Sequence, residues 1–230
     1  ENAIAEVYKM IQTQHLYYVV DVDIKSFFDN VSHGKLLKQM WTMGIQDKQL
    51  LKIISLMLKA EVAGIGFPEK GTPQGGIISP LLSNIVLNEL DWWVASQWET
   101  LPTKKVYKGK ELKTGTVDRS STYVALRKSN LKECYIVRYA DDFKIFCRKR
   151  SDAVKMFEAV KLWLKERLGL EISPEKSKIV NLKKSYSEFL GFKITATTKG
   201  KDNKGKLKYV VKSILTDKAI RKIKKKASQT

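Results

Sequence analysis

Cysteine, histidine and long apolar segments are scarce in this chain of 230 residues. Its two cysteines, Cys134 and Cys147, provide neither a disulfide framework nor the spacing of a zinc site. The two histidines, His15 and His33, have no metal-binding partners nearby in the sequence, and we interpret both as structural. No run of about 18 apolar residues occurs, so we expect no membrane span. Without a signal-peptide pattern either, we expect an intracellular protein with reduced thiols.

Acidic residues are few relative to basic ones, with 24 Asp and Glu against 43 Lys and Arg and a net charge of +19. Two segments carry most of the excess: residues 102–133 have 9 basic and 3 acidic residues, and residues 199–230 have 12 and 2. A nearly balanced core with two basic segments indicates a polyanionic partner such as nucleic acid. The alternative is a pair of solvated, flexible basic segments.

The apolar periodicity predicts an α+β fold, an antiparallel sheet with helices packed on one face. Strands are predicted at 17–23, 134–139 and 143–148, with a further hairpin formed by 187–194 and 206–212. Helices are predicted at 2–12, 34–43, 47–60, 79–98 and 151–169, followed by a basic helix that Thr216 caps. Segment 102–133 has few apolar anchors and is interpreted as an insertion.

A tight turn centred on Ala140 and Asp141 is predicted between two of these strands. Residues whose numbers sum to 281 then face each other, so Cys134 and Cys147 become cross-strand neighbours. We expect them to remain free thiols.

Three carboxylates fall where strands end. Asp23 closes the first strand, and Asp141 and Asp142 lie at the hairpin tip. If these strands are neighbours, an all-oxygen site of this kind suits Mg²⁺. The alternative is a polar turn without a ligand, because aspartate is common in turns. Asp21 lies on the same strand face as Asp23.

Five stretches in this order resemble the palm motifs of reverse transcriptases, and most closely those of group II intron-encoded reverse transcriptases, or maturases. The resemblance extends from residue 2 to 227. The stretches are DIKSFFDNVSH (23–33), GTPQGGIISPLLSN (71–84), RYADDF (138–143), LGLEISPEKSKI (168–179) and FLGFKI (189–194).

The resemblance implies a metal site. Asp23 and Asp141 match the aspartates that bind two catalytic Mg²⁺ ions, for which Mn²⁺ is a possible substitute, and Asp142 matches a more peripheral member of the same site. The family motif gives Asp21 no ligand role, so we interpret it as a solvated or supporting acid.

The resemblance also implies nucleotide contacts. Phe28 matches the aromatic residue beneath the sugar of the incoming nucleotide, where a ring leaves no space for a 2′-OH. Gln74 and Gly75 match the residues against the nascent base pair, and Tyr139 is expected beside the primer end. Lys176 matches a candidate general acid for the pyrophosphate leaving group; the alternative is a surface charge.

The implied organisation is a palm with part of the fingers at 1–198, including the basic insertion 102–133, and a basic hairpin with the start of a thumb helix at 199–230. Because the chain starts at Glu1 without an initiator Met, we expect a piece of a longer protein. The triphosphate-gripping fingers and the thumb are expected to lie outside it, so this piece alone should be weakly active or inactive.

The resemblance implies an RNA-directed DNA polymerase that also binds intron RNA in splicing and mobility. Its partners would be an intron RNA template, a DNA primer and dNTPs, in the bacterial cytoplasm or, alternatively, an organelle. Other interpretations stay open: an RNA-binding maturase module without catalysis, or the reverse transcriptase of a retron, diversity-generating or CRISPR-associated system. The oligomeric state is also open, a homodimer included.

Overall fold

A computed structural model of the chain describes residues 2–62, 66–72, 76–113, 115, 117–201, 203 and 205–228. The helices are Asn2–Gln12 (α1), Phe27–Asn30 (α2), His33–Thr42 (α3), Lys48–Leu58 (α4), Ser79–Gln97 (α5), Ser120–Arg127 (α6), Arg150–Trp163 (α7) and Asp217–Ala227 (α8). A π-helical turn, Leu164–Leu168, continues α7. The strands are Tyr18–Val22 (β1), Cys134–Tyr139 (β2), Asp142–Cys147 (β3), Lys178–Asn181 (β4), Ser187–Phe189 (β5), Phe192–Lys201 (β6) and Leu207–Leu215 (β7).

The main sheet is antiparallel and has the strand order β2–β3–β1–β4. β1 lies between β3 and β4, and its Val19 and Val20 are fully buried. Such β-branched residues suit a pleated strand that is covered on both faces. The short strand β4 was not predicted as a strand, and it supplies the edge of the sheet next to β1.

The predicted turn at Ala140–Asp141 is confirmed. β2 and β3 pair from Cys134 opposite Cys147 to Tyr139 opposite Asp142, so the two cysteines are cross-strand neighbours as expected. Ala140 has a φ of 55°, a left-handed conformation that tight two-residue turns require.

The helices and a second sheet cover the two faces of the main sheet. α5 and α7 pack against it on the face that carries Arg138 and the two cysteines. On the opposite face, Val7 and Ile11 of α1 lie beside Val19 and Phe146. The predicted α+β class with helices on an antiparallel sheet is confirmed, and both α1 and the second sheet cover the other face. None of the described helices is long and apolar enough to cross a bilayer.

The second sheet differs from the predicted hairpin. Segment 187–194 was predicted as one strand, but the structure bends it into β5 and β6 at Leu190 and Gly191, which both have positive φ values. β6 then pairs with β7. The single-strand prediction was wrong because the apolar residues on both sides of Gly191 look continuous in sequence, whereas glycine readily takes the conformation that a turn needs.

The basic insertion is anchored at its C-terminal end. Leu126 of α6 is buried, and the carboxylate of Glu133 lies between the guanidinium groups of Arg127 and Arg148. The expectation of few anchors therefore holds for most of residues 102–119, which are largely exposed, and not for α6. The division at residue 198 stays a prediction.

The first turn of α8 is attached to the second sheet. Thr216 accepts a hydrogen bond from the N–H of Ala219, which confirms the predicted cap, and the N–H of Thr216 donates to the carbonyl oxygen of Gly191. Asp217 pairs with Lys193 at 2.8 Å. No residue of α8 is buried.

We predict that the two thiols are unreactive in the folded chain. Burial raises the pKa of the Cys134 thiol to about 12 and that of Cys147 well above its usual value, so the nucleophilic thiolate is rare. Ellman's reagent at mildly alkaline pH should modify neither cysteine within minutes, and should find two thiols after unfolding in guanidinium chloride. Rapid modification of the folded chain, or no thiols after unfolding without reductant, would contradict this.

Candidate active site

The three predicted acidic ligands lie at one end of the main sheet. In the β1–β3 register, Val22 is opposite Phe143, and Asp23 and Asp142 are the next residues along their strands. Asp141 occupies the turn beside Asp142. The strand pairing therefore brings together carboxylates that are 118 positions apart in the sequence, from 23 to 141.

Two lysines neutralise two of these carboxylates. The Nζ atom of Lys176 lies 3.6 Å from Oδ2 of Asp23, and both side chains are about half exposed or more, at 66% and 46%. The Nζ atom of Lys144 lies 3.4 Å from Oδ1 of Asp142. Burial raises the pKa of Asp142 above its usual value, the charge of Lys144 opposes this rise, and the neighbouring charge of Asp141 adds to it.

Asp21 supports the site from within the sheet. It is buried, its Oδ1 lies 3.5 Å from Nζ of Lys144, and the Ser187 hydroxyl donates to its carboxylate. Burial raises the pKa of Asp21, while Lys144 and Ser187 act in the opposite direction. The interpretation as a supporting acid is consistent with these contacts, and the solvated alternative is wrong.

The donor set fits a hard divalent cation in kind. All three side chains offer carboxylate oxygen, which Mg²⁺ prefers. Within the described part of the chain, however, no three Asp, Glu, His or Cys side chains lie close enough together to hold an ion. Convergence of Asp23, Asp141 and Asp142 on one ion therefore stays a prediction.

Lys176 is positioned by a segment that is bonded to the backbone around Asp23. The N–H of Ser173 donates to the carbonyl oxygen of Asp23 at 2.8 Å, and the N–H of Asp23 donates to Oγ of Ser177 at 3.1 Å. An isolated bridge between Ile24 and Ile172 extends this pairing. The turn that carries Lys176 is thus fixed next to Asp23, and the choice between a general acid and a surface charge stays a prediction.

Phe28 lies beside the stem of the glycine-rich loop. It is half-buried in α2, with its ring edge-to-face against the buried Phe27 at a centroid distance of 5.2 Å. The N–H of Thr72 donates to the carbonyl oxygen of Phe28 at 2.6 Å, and the N–H of Gly71 donates to that of Val31 at 2.7 Å. The loop therefore begins against Phe28. Gln74 and Gly75, which the sequence assigns to nucleotide contacts, lie outside the described residues.

The two histidines contact neighbouring protein groups. His33 is buried and its Nε2 lies 2.7 Å from the carbonyl oxygen of Gly71, which gives the loop stem a third attachment. His15 lies near Tyr17, whose hydroxyl is 3.2 Å from its Nδ1. Both observations agree with the sequence interpretation.

Arg138 is a positioning residue that the sequence prediction missed. Its Nε donates to Asp91 of α5 at 2.9 Å, and its Nη1 donates to Asn84 and to the carbonyl oxygen of Ala140, each at 2.8 Å. It thereby ties the turn that contains Asp141 to α5. Tyr139, beside it, is 61% exposed and free to contact a ligand. An arginine in an otherwise apolar strand was the available signal.

Comparison with known proteins decides the family. The sequence model of the reverse transcriptase (RNA-dependent DNA polymerase) family matches residues 2–194. The chain belongs to this family. Reverse transcriptases copy an RNA template and depend in general on divalent metal ions.

Relatives among curated proteins include products of group II introns. The group II intron-encoded protein LtrA of Lactococcus lactis subsp. cremoris is 30% identical over 221 residues, which cover 80% of this chain and 36% of LtrA. The COX1/OXI3 intron 1 protein of Saccharomyces cerevisiae is 29% identical over 219 residues, covering 86% of this chain and 26% of that protein. The resemblance expected from the sequence is confirmed, and the chain spans about a quarter to a third of these relatives.

Solved structures support the fold. The chain resembles apo telomerase from Candida tropicalis truncated from its C-terminal domain, with a TM-score of 0.56 and 11% identity over 93% of this chain and 39% of that one. Apo telomerase from the same organism gives a TM-score of 0.55 at 11% identity, over 85% of this chain and 35% of that one. The likeness to the palm of a right-hand polymerase is thereby confirmed.

We predict opposite effects for alanine at two glycines near this site. Gly71 has a φ of 96°, and a Cβ there would lie 3.0 Å from the carbonyl oxygens of Phe28 and Asp29. Gly71→Ala should therefore lower the free energy of unfolding by about 1–3 kcal/mol. The control is Gly34→Ala in α3, where a Cβ meets nothing within 4 Å and alanine should add about 0.5–1 kcal/mol. Urea unfolding measures both; equal effects would show that the loop stem yields to the methyl group.

Proposed function

We propose that this chain is the polymerase core of a group II intron-encoded protein that synthesises DNA on an RNA template. The observation that carries the proposal is the placement of Asp23 and the Asp141–Asp142 turn at one sheet end, in a chain whose sequence matches the reverse transcriptase family over residues 2–194. The relatives encoded in group II introns support the choice of parent protein.

In the proposed reaction, the 3′-OH of a primer attacks the α-phosphate of a dNTP. Asp23 and Asp141 would hold two Mg²⁺ ions, or Mn²⁺ in their place, and Asp142 would support them. When bound, such ions activate the attacking oxygen and stabilise the charge on the leaving pyrophosphate. The contribution of the protein is mostly position and electrostatics, which the β1–β3 pairing and the Arg138 contacts support.

Nucleotide selection is assigned to residues around the loop stem. Phe28 would exclude the 2′-OH of a ribonucleotide by occupying its space, and Gln74 and Gly75 would lie against the new base pair. Tyr139 would contact the primer end. Lys176 would give a proton to pyrophosphate; its ammonium lies 3.6 Å from Asp23, at the edge of the proposed site.

A second role, binding of intron RNA, is favoured by charge. Residues 102–133 and 199–230 hold most of the net charge, and the lysines of α8 and of 104–110 are exposed. Such surfaces bind the phosphate backbone. A module that only binds RNA would not need clustered carboxylates, which repel phosphate, so we favour polymerase and RNA-binding roles together. A retron, diversity-generating or CRISPR-associated enzyme would have different neighbouring genes.

The partners proposed are therefore an RNA template, a primer and dNTPs. We propose a bacterial cytoplasmic setting or, alternatively, an organellar one, and relatives from Lactococcus lactis and Saccharomyces cerevisiae support these two choices. The chain covers a minor part of those relatives, so we propose that the isolated 230 residues bind RNA better than they polymerise.

We predict that Asp141→Asn separates catalysis from binding. In the full-length protein it should abolish cDNA synthesis from a primed RNA template, because a proposed metal ligand loses its charge. RNA affinity in a filter-binding assay should stay the same or rise slightly, since one repulsive charge is gone. Glu158→Gln, on an exposed surface of α7, removes the same charge and should leave synthesis intact. Synthesis that survives in Asp141→Asn would exclude the proposed chemistry.

We predict that Phe28→Ala relaxes sugar selection. Loss of the ring opens the space for a 2′-OH, so incorporation of GTP relative to dGTP should rise at least about tenfold, the factor that corresponds to 1.4 kcal/mol of discrimination. Single-nucleotide extension measures the ratio. Phe28→Tyr keeps the ring and should keep the discrimination. If the alanine variant discriminates as well as the parent, another residue excludes the ribose.

A further inference from the structure

Lys144 is a buried cation between two carboxylates. Its side chain is 9% exposed, and its Nζ lies 3.5 Å from Oδ1 of Asp21 and 3.4 Å from Oδ1 of Asp142. A lysine in this position loses most of its hydration, which costs several kcal/mol unless acceptors replace the water. Asp21 and Asp142 are the acceptors that do so.

The position of this ammonium is fixed by the sheet. Lys144 is opposite Asp21 in the β1–β3 register and two residues after Asp142 on β3, so the three side chains share one face. Asp21 is fixed in turn by the hydroxyl of Ser187, at 2.8 and 3.0 Å from its two oxygens. The ring of Phe189 lies 5.9 Å from Nζ and closes the pocket. Lys144 therefore has little freedom to leave Asp142.

The three carboxylates of the site differ in their cationic partners. Asp23 faces Lys176, an exposed side chain that can swing away. Among the described residues, no Lys or Arg lies within ion-pair distance of Asp141, and Lys144 is the one such partner of Asp142. An arriving divalent ion can displace Lys176 from Asp23, whereas displacing Lys144 from Asp142 would leave a buried ammonium with Asp21 alone.

We propose that Lys144 is a positioning residue that keeps Asp142 beside the metal site and out of direct ligation, so that Asp23 and Asp141 are the direct ligands. This inference rests on the proposed function, because it concerns the same metal site. Lys144 acts through Asp142, and Asp21 with Ser187 holds Lys144 in place. Under this proposal, the peripheral role that the family resemblance implies for Asp142 has a physical cause, its ion pair with Lys144.

The test is the double variant Lys144→Met with Asp21→Asn. It removes one charge of each sign, so the net charge is unchanged and neither Lys144 nor Asp21 remains as an unpaired buried charge. Asp142 loses its lysine partner, but its side chain is 42% exposed and can be hydrated. Asp142 is then free to ligate. Electron paramagnetic resonance of free Mn²⁺ should report at least about threefold tighter binding to the full-length protein without substrate, and primer extension in Mg²⁺ should be at least about tenfold slower, which is 1.4 kcal/mol in activation free energy.

The matched control is Lys178→Met. Lys178 is also opposite Asp21, across the β1–β4 pairing, but it is exposed and belongs to the other neighbouring strand. Its loss should change Mn²⁺ affinity less than about twofold, since an exposed charge is well screened, and should leave extension unchanged. An equal response in both variants would assign the effect to the general field around Asp21 and overturn the proposal.

The remaining outcomes are distinct. Unchanged or weaker Mn²⁺ binding in the folded double variant overturns the role of Lys144. If the double variant shows no thermal unfolding transition, and so does not fold, Asp142→Asn is tested in its place. Its Mn²⁺ affinity should stay within about threefold of the parent's, as expected for a partly screened charge outside the ligand set. A complete loss of Mn²⁺ binding would overturn the proposal. The proposed function itself requires that the parent protein bind Mn²⁺ and that Asp23→Asn abolish this binding. If either result is not obtained, the proposed function fails.

Discussion

The antiparallel pairing of β1 with β3 determines where each charged group of the site lies. Asp21 lies on one face of β1, Asp23 follows the end of that strand directly, and Lys144 and Asp142 share the matching face of β3. A slip of one residue would turn these side chains towards α5 and α7 and expose the apolar ones. On the other face, Val20 and Ile145 are opposite each other and fully buried, and such a slip would expose them, so burial of this pair favours the observed register. The apolar core under α5 and α7 thus favours the register that places the charged side chains on the opposite face.

Much of this arrangement could be predicted because it depends on short-range rules. The period of two along a strand and the two-residue turn at Ala140–Asp141 were enough to place Cys134 opposite Cys147. The order of the five motifs was enough to indicate the family, and the end of the first strand was enough to place Asp23. Each of these predictions depended on residues that are close together in the sequence or on the fixed order of the motifs.

The parts that escaped prediction depend on contacts between distant segments. The partner of Lys144, Asp21, is 123 positions away in the numbering, and the partner of Arg138, Asp91, is 47 positions away. In the sequence, each of these basic residues is only a polar position within an apolar strand. Its acidic partner can be identified only when the neighbouring strand or helix is known. The turn at Leu190–Gly191 escaped for another reason, because β5 has only three residues and shows no periodicity of its own.

The described contacts between α8 and the second sheet lie at the start of this helix. Thr216 is bonded to Gly191, Asp217 is paired with Lys193, and beyond this first turn no side chain is buried. Eleven residues at 1.5 Å each span about 16 Å, so a tilt of about 10° at the pivot moves the far end by about 3 Å. The cluster Lys224–Lys226 lies at this far end of the helix. The position of the lysine cluster relative to the main sheet thus depends on the geometry of the β5–β6 turn, to which the first turn of α8 is bonded.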